Sequence, residues 1–161
     1  MNKIIIIGCP GSGKSYFSKE LAKKTNFPLY HLDLLYWNKD KTIIEKSIFL
    51  ERVRSIFKND NWIIDGNYQS SMEERIIECD TIFFLDYDLD VCLKGISERF
   101  GKPRSDLPWI EEEYDEEFIN YIKNFQVLKR PEILILLEKY QDKKIYIFKD
   151  RIDSVNFLEN L

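Results

Sequence analysis

The sequence predicts an α/β protein, with five mostly parallel strands in one sheet and helices on both faces. Three observations lead there. The strand-like segments around Ile4–Ile7, Trp62–Ile64, Ile82–Leu85 and Ile145–Phe148 are continuous apolar runs rather than alternating ones, the mark of strands buried on both sides. Segments with helical periodicity separate them, which is the order a parallel sheet requires. The first run also leads directly into Gly8-Cys9-Pro10-Gly11-Ser12-Gly13-Lys14-Ser15, a G-x-x-x-x-G-K-S phosphate-binding loop with a helix pattern behind it. With 161 residues, the chain suits one domain with a substantial core, residues 1–161.

The elements follow in order. Ile4–Ile7 is the first strand, and Ser15 to about Thr25 is a helix with Phe17, Leu21 and Ala22 on one face. Phe27-Pro28 breaks it. Leu29–Asp33 reads as a short strand ending in a carboxylate. Thr42-x-x-Glu45 has the form of a capping box, opening a helix whose inner face is Ile48, Phe49, Val53, Ile56 and Phe57. Trp62–Ile64 is a strand that runs into Asp65-Gly66-Asn67-Tyr68. Ser71-x-x-Glu74 opens a short helix carrying Arg75, and Thr81–Leu85 is a strand ending at Asp86. A helix over about 90–100 precedes the polar, Gly/Pro-bearing segment Gly101–Pro108. An acidic helix with the stripe Tyr114, Phe118, Tyr121, Ile122 and Phe125 comes next. Arg130-Pro131 opens a further helix, Ile145–Phe148 is the last strand, and a helix near Val155–Leu161 closes the chain.

The loop carries the clearest chemistry. Its glycines let the backbone curl so that successive N–H groups face an anion at the positive end of a helix dipole. Side chains at Gly8, Gly11 or Gly13 are expected to obstruct that path. Lys14 is placed to reach the β- and γ-phosphates of a nucleotide, and the Ser15 hydroxyl to bind Mg²⁺. Right-handed crossovers put Gly8, Asp33, Asp65, Asp86 and Lys149 on the rim at the carboxyl ends of the strands. Asp65 or Asp86 is the expected metal-organising acid, with Asp65 favoured because Gly66 leaves room for a substrate. Asp33 is a candidate for metal-bound water or a substrate hydroxyl, and Tyr36, Trp37 and Tyr68 for an aromatic acceptor pocket.

Phosphoryl transfer spreads negative charge over oxygens, so cations must surround it. Arg99, Arg104 and Arg130 flank a stretch with the character of a lid, about 99–130. His31, the only histidine, reads as an orienting or packing residue. The net charge of -4 and pI near 5.2 provide no basic footprint for duplex DNA or an anionic membrane. No stretch has the length of a membrane span. Three cysteines without metal-ligand spacing suit reduced thiols, and a cytoplasmic location is the expectation.

Beyond these readings, the motifs resemble those of a known group. Ile6-Ile7-Gly8-x-Pro10-Gly11-Ser12-Gly13-Lys14-Ser15, His31-Leu32-Asp33-x-Leu35-Tyr36-Trp37 and Trp62–Tyr68 resemble the bacterial DNA topology modulation proteins (FlaR-like), which are adenylate-kinase-related P-loop proteins. Phe84-Leu85-Asp86, Gly101-Lys102-x-Arg104-x-Asp106 and Arg130-Pro131 extend the resemblance over nearly the whole chain. It implies a three-layer P-loop NTPase fold of the nucleoside-monophosphate-kinase type, with a five-stranded parallel core and a small lid. It further implies ATP and Mg²⁺, with Gly8, Pro10, Gly11, Ser12, Gly13, Lys14, Ser15 and Tyr16 binding the nucleotide and Arg151 near its base. Asp65-Gly66 matches the Asp-Gly pair whose acid organises Mg²⁺ waters in adenylate kinases. Those enzymes continue Phe-Pro-Arg, and this chain has Asn67-Tyr68-Gln69, with Arg75 as a substitute cation. The expected acceptor residues are Asp33, Gly66, Asn67 and Tyr68. The implied activity is phosphoryl transfer from Mg-ATP to a small molecule or nucleotide. The alternative is a nucleotide-binding regulator with weak ATPase acting through a partner protein, without direct DNA binding.

Overall fold

The computed structural model describes residues Met1–Leu161. The strands are β1 (Lys3–Gly8), β2 (Leu29–His31), β3 (Trp62–Asp65), β4 (Thr81–Leu85) and β5 (Lys144–Phe148). All pair in parallel, in the order β2-β3-β1-β4-β5. The helices are α1 (Lys14–Thr25), α2 (Leu32–Tyr36), α3 (Lys46–Ile56), α4 (Gln69–Glu78), α5 (Leu89–Arg99), α6 (Glu116–Leu128), α7 (Arg130–Lys139) and α8 (Arg151–Glu159).

Strand order and handedness fix the layers. The crossover from β1 to β2 runs one way along the sheet, and those to β3, β4 and β5 run the other. Right-handed connections therefore place α1 on one face and α3, α4 and α5–α7 on the other. The chain's last helix, α8, packs against α1 and β5. Ile4–Ile7, Trp62–Ile64 and Ile82–Leu85 are almost fully buried, as strands covered on both sides must be. Phe17 of α1 packs on Phe83 and Phe148 with ring centroids 5.1 and 5.8 Å apart, and Phe157 of α8 closes on Phe83 at 5.2 Å. The register aligns Ile6 with Asp65 and His31 with Asp65 across neighbouring strands, and Gly8 with Leu85. The loop and two acids thus stand on one rim.

Three expectations change. Asp33 does not end a strand. β2 stops at His31, and Asp33 lies in the first turn of α2, where a carboxylate suits the positive end of the helix. Thr42 and Glu45 do not form a capping box. Thr42 Oγ1 donates to Asp40 at 2.6 Å, Ser47 Oγ donates to Glu45 at 2.7 Å, and Ile43 bridges back to Trp37. Helix α3 starts one residue after Glu45 and buries Phe49, Val53 and Ile56, while Ile48 faces solvent.

Arg75 holds the turn between β3 and α4. Its side chain is fully buried. Nη1 donates to the Gly66 carbonyl at 2.9 Å, Nη2 to those of Asn67 and Tyr68 at 2.5 and 3.2 Å, and Nε to Ser71 Oγ at 3.1 Å. A guanidinium taken out of water needs this many partners. Replacing Arg75 by Ala leaves three carbonyl oxygens without a donor and opens a cavity. The expected cost is at least about 3 kcal/mol of stability, read as a lower urea midpoint with an unchanged denaturant slope.

Candidate active site

One cleft of about 1390 Å³ lies along the rim, above the 300–1,000 Å³ or so usual for a single small ligand. It runs from Tyr87, Gly95 and Arg151 across the loop to Asp33, Trp37 and Tyr68, under the 100–115 segment. Of the expected site residues, Pro10, Gly11, Ser12, Gly13, Lys14, Ser15, Tyr16, Asp33, Asp65, Gly66, Asn67, Tyr68, Arg99, Arg104 and Arg151 line it, whereas Gly8 and Arg130 do not.

The loop is shaped by contacts with β4 and α5. A Cβ on Gly8 would stand 2.6 Å from the Leu85 carbonyl oxygen, and one on Gly11 would stand 2.0 Å from that of Cys92. The approach is reciprocal, because a Cβ on Gly95 in α5 would stand 2.0 Å from the Gly11 oxygen. Gly13 differs from the expectation. Nothing obstructs a side chain there, and glycine serves its φ of +93° instead. Asn67 joins the base of the loop by accepting from the Gly8 N–H at 3.1 Å and donating to the Gly8 carbonyl at 2.8 Å. It positions the loop while also facing the cleft. Gly66 lines the cleft and also accommodates Leu32, since a Cβ there would lie 2.9 Å from Leu32 Cβ.

These features suit a phosphate. Helix α1 has no side-chain cap and no acid in its first turn, so its positive end remains for an anion. Ser12 Oγ is buried there without a partner. Lys14 Nζ donates to the Gly8 and Cys9 carbonyls at 2.8 and 3.1 Å. Burial lowers the Lys14 pKa, with Cys9, Asp65 and Asp33 opposing the shift. A half-buried ammonium of this kind gains from an anionic ligand.

Three acids were candidates around Ser15, and the structure separates them. Asp65 accepts from Ser18 Oγ at 2.7 Å and contacts His31 Nδ1 at 2.9 Å, so His31 orients an acid. Asp86 lies outside the cleft, held by Arg130 through contacts of 2.8, 3.0 and 2.9 Å and by Lys149. Burial opposes its charge, but Arg130 and Lys149 keep the carboxyl below the usual carboxylate range. This ion pair corrects the expectation for Arg130, whose guanidinium is engaged by Asp86 outside the cleft lining. Arg75 likewise sits inside the wall and presents no charge to the cleft.

The acid that sequence reasoning missed as a site residue is Asp106. It accepts a hydrogen bond from Ser15 Oγ and is gripped by Arg104 at 3.1 and 2.5 Å. Arg104 also pairs with Glu111 at 2.8 Å, and Glu111 pairs with Arg99 at 3.0 Å. Burial disfavours the charge on Asp106, yet the bonds from Arg104 and Ser15 hold its carboxyl well below the usual range. Its spacing from Arg104 in a Gly/Pro segment was the available signal. Ser15, Asp65 and Asp106 provide an oxygen-only donor set, which fits Mg²⁺. With no group of three acids gathered, such an ion would take its remaining ligands from phosphate and water.

Asp33 occupies the other end of the cleft. Tyr68 OH donates to its Oδ1 at 2.5 Å. Burial raises the Asp33 pKa, opposed by the Tyr68 hydrogen bond and the Lys14 charge. Tyr36 packs on Tyr68 and Phe49 at 4.6 and 5.4 Å, and Trp37 meets Trp109 edge-on at 5.3 Å.

The architecture is a three-layer P-loop fold, a five-stranded parallel sheet between helices with the phosphate loop after its first strand. Solved structures share it. Deoxyadenosine kinase from M. mycoides with bound dATP matches with a TM-score of 0.55 at 16% identity, over 98% of this chain and 97% of that one. Shikimate kinase from Bacteroides thetaiotaomicron matches at 0.55 and 18% identity, over 98% and 94%. Shikimate kinase from Acinetobacter baumannii in complex with shikimate matches at 0.66 and 12% identity, over 99% and 90%. At these identities the likeness concerns the fold. The sequence matches no family model, and no helix is long and apolar enough to cross a membrane.

Two expected outcomes follow from this geometry. Gly95→Ala pushes α5 against the Gly11 carbonyl and is expected to weaken ATP binding about tenfold or more, as measured by calorimetric titration. Asp33→Asn removes a half-buried charge. Because the folded pKa of Asp33 lies above its unfolded value of 3.8, the wild type loses stability as pH rises through that window. The Asn variant is therefore expected to match or exceed wild-type stability at pH 7 and to lose that advantage below about pH 4, as followed by thermal melts across pH.

Proposed function

We propose that this protein is an ATP-dependent, Mg²⁺-requiring kinase that phosphorylates a small molecule bearing a hydroxyl group, and that residues 1–161 act as one catalytic domain. The observation that carries this reading is a single cleft joining an anion-binding loop with Lys14 to a half-buried acid, Asp33, at its opposite end. Its volume suits two ligands side by side. The shared fold with nucleoside and shikimate kinases supports the same reading. The three free, buried cysteines accord with a reducing cytoplasm.

In this reading the loop N–H groups and Lys14 hold the β- and γ-phosphates. Tyr16 and Arg151 flank the nucleotide, Arg151 lying 3.5 Å from the Gly11 carbonyl. Ser15 holds Mg²⁺, with Asp65 and Asp106 orienting its waters. The ion supplies positive charge that offsets the charge on the phosphates. Arg99 and Arg104 exchange Glu111 and Asp106 for the transferring group as the 100–115 segment closes. The acceptor oxygen forms a bond to the γ-phosphorus and its proton passes to the Asp33 carboxylate. The bond from that phosphorus to the β–γ bridging oxygen breaks, and ADP leaves with the electron pair. The low-dielectric setting that raises the Asp33 pKa also makes it a better base than an exposed carboxylate.

A regulator that binds nucleotide and acts through a partner, as the resemblance to topology modulation proteins suggests, is the second reading. The complete pairing of Arg104 and Arg130 with the chain's own acids favours it. Direct duplex binding has no charge basis at a net -4.

The deciding experiment is ADP release from Mg-ATP across a panel of nucleosides, nucleoside monophosphates and hydroxylated metabolites. One acceptor is expected to raise the rate well above background. Lys14→Ala is expected to lower that rate about 100-fold or more. ATP binding with a flat panel would replace the kinase reading by the regulator.

A further inference from the structure

The acceptor end of the cleft carries an unusual charge balance for a site that receives a phosphorylated molecule. A phosphate or carboxylate on the acceptor requires a fixed cation facing it. Arg75 stands nearest in sequence to the acceptor residues, yet it is 0% exposed and its donors are taken by the carbonyls of Gly66, Asn67 and Tyr68 and by Ser71. It builds the wall and faces away from the cleft. Arg104, the nearest arginine above, pairs with Asp106 and Glu111 and in the kinase reading is committed to the transferring phosphoryl group. Lys41 lies on the exposed turn before α3, at the mouth. The interior of this end therefore presents one acid, Asp33, and flat aromatic surface.

The aromatic surface is fixed in place. Tyr36 and Phe49 back the Tyr68 ring, and the Arg75 clamp holds the Tyr68 carbonyl, so the phenol reaches Asp33. Trp37 on the loop after α2 and Trp109 in the 100–115 segment meet across the mouth at 5.3 Å, nearly perpendicular. The two indoles, from different segments, pack edge-on against each other and form one aromatic wall, on which a flat ring can stack or pack edge-on. Asp33 accepts hydrogen bonds and repels anions.

We infer that the acceptor is unphosphorylated and carries no anionic group: an uncharged molecule with a flat ring held by Trp37, Tyr68 and Trp109 and a hydroxyl bonded to Asp33, the chemistry of a free nucleoside. The inference rests on the kinase reading above and names the class of its acceptor. It departs from the nucleoside monophosphates that adenylate-kinase-related enzymes receive, and the reason is the enclosure of Arg75.

The test uses the full chain with two readouts. The first is quenching of the Trp37 and Trp109 fluorescence in the presence of a non-hydrolysable ATP analogue and Mg²⁺. The second is ADP release with Mg-ATP. The probes are ribo- and deoxyribonucleosides, their 5′-monophosphates, shikimate as a hydroxylated carboxylate, and pyridoxine as a flat hydroxylated ring without a sugar. Nucleosides are expected to bind at least tenfold more tightly than their monophosphates or shikimate and to drive ADP release. Asp33→Asn is expected to lower kcat about 100-fold with ATP affinity unchanged. Trp109→Ala is expected to raise KM for the acceptor about tenfold while changing kcat little, a split that loss of fold would not produce. Preferential binding or turnover of a monophosphate or shikimate overturns the inference and leaves the kinase reading intact. Quenching by nucleosides without ADP release from any probe sinks the kinase reading while supporting the pocket's chemistry. Pyridoxine in place of nucleosides supports the uncharged flat-ring class and overturns the nucleoside assignment. Absence of quenching by every uncharged ring overturns the inference.

Discussion

The close approach of two backbones underlies this structure. The Gly11 carbonyl and helix α5 meet where Gly95 has no side chain, and Gly11 in turn meets the Cys92 carbonyl. That contact sets where the phosphate loop stops and where α5 begins its course toward Arg99. It also fixes the origin of the 100–115 segment relative to Ser15. A loop displaced by a single methyl group would move Lys14, Ser15 and the start of α1 together, because they share one stretch of backbone. Packing at this density leaves little room for gradual adjustment. The arrangement of cations and acids above the rim follows from a contact between glycines below it.

The sheet adds a second constraint. Its carboxyl rim presents Asp33, Asp65 and Asp86, yet the three have different surroundings. Asp86 is saturated by Arg130 and Lys149, and Asp65 is oriented by Ser18 and His31. Asp33 keeps only the Tyr68 phenol and is half-buried without a cation in direct contact. Position on the rim makes an acid available, and the partners around it determine what remains for a ligand.

The fold was legible in the sequence because it depends on near-neighbour patterns. Continuous runs such as Ile4–Ile7 and Ile82–Leu85 can be buried on both faces only in a parallel sheet, and the spacing from Gly8 to Ser15 is local. The site was legible where it rests on that spacing, as at Lys14, Ser15 and Asp65. It was not legible where it depends on which distant group reaches a side chain first. Arg130 has the sequence features of a phosphate-binding cation, but it lies 44 residues from the Asp86 that engages it. Arg75 turns inward because three carbonyls of one turn converge on it. Asp106 is separated from Ser15 by 91 residues, and no periodicity connects them. Gly66 looked like space for a substrate alone, and Leu32, set by the short helix α2, packs against the same position. Each of these outcomes is decided by tertiary packing between segments whose local patterns are satisfactory on their own.

The network from Ser15 through Asp106, Arg104 and Glu111 to Arg99 has a consequence for how a catalytic cycle would end. Cations arranged for a phosphoryl group are costly to leave bare in a partly buried site, and a tight grip on product would stall turnover. Here the chain carries its own substitute anion. As a product departs, Arg104 can retract onto Asp106 and Glu111 without facing empty space, so release becomes an exchange of one negative partner for another. The resting state is then held by the same kind of bond that binds the ligand. The affinity for a nucleotide would then be the difference between two similar grips, which would keep its binding reversible.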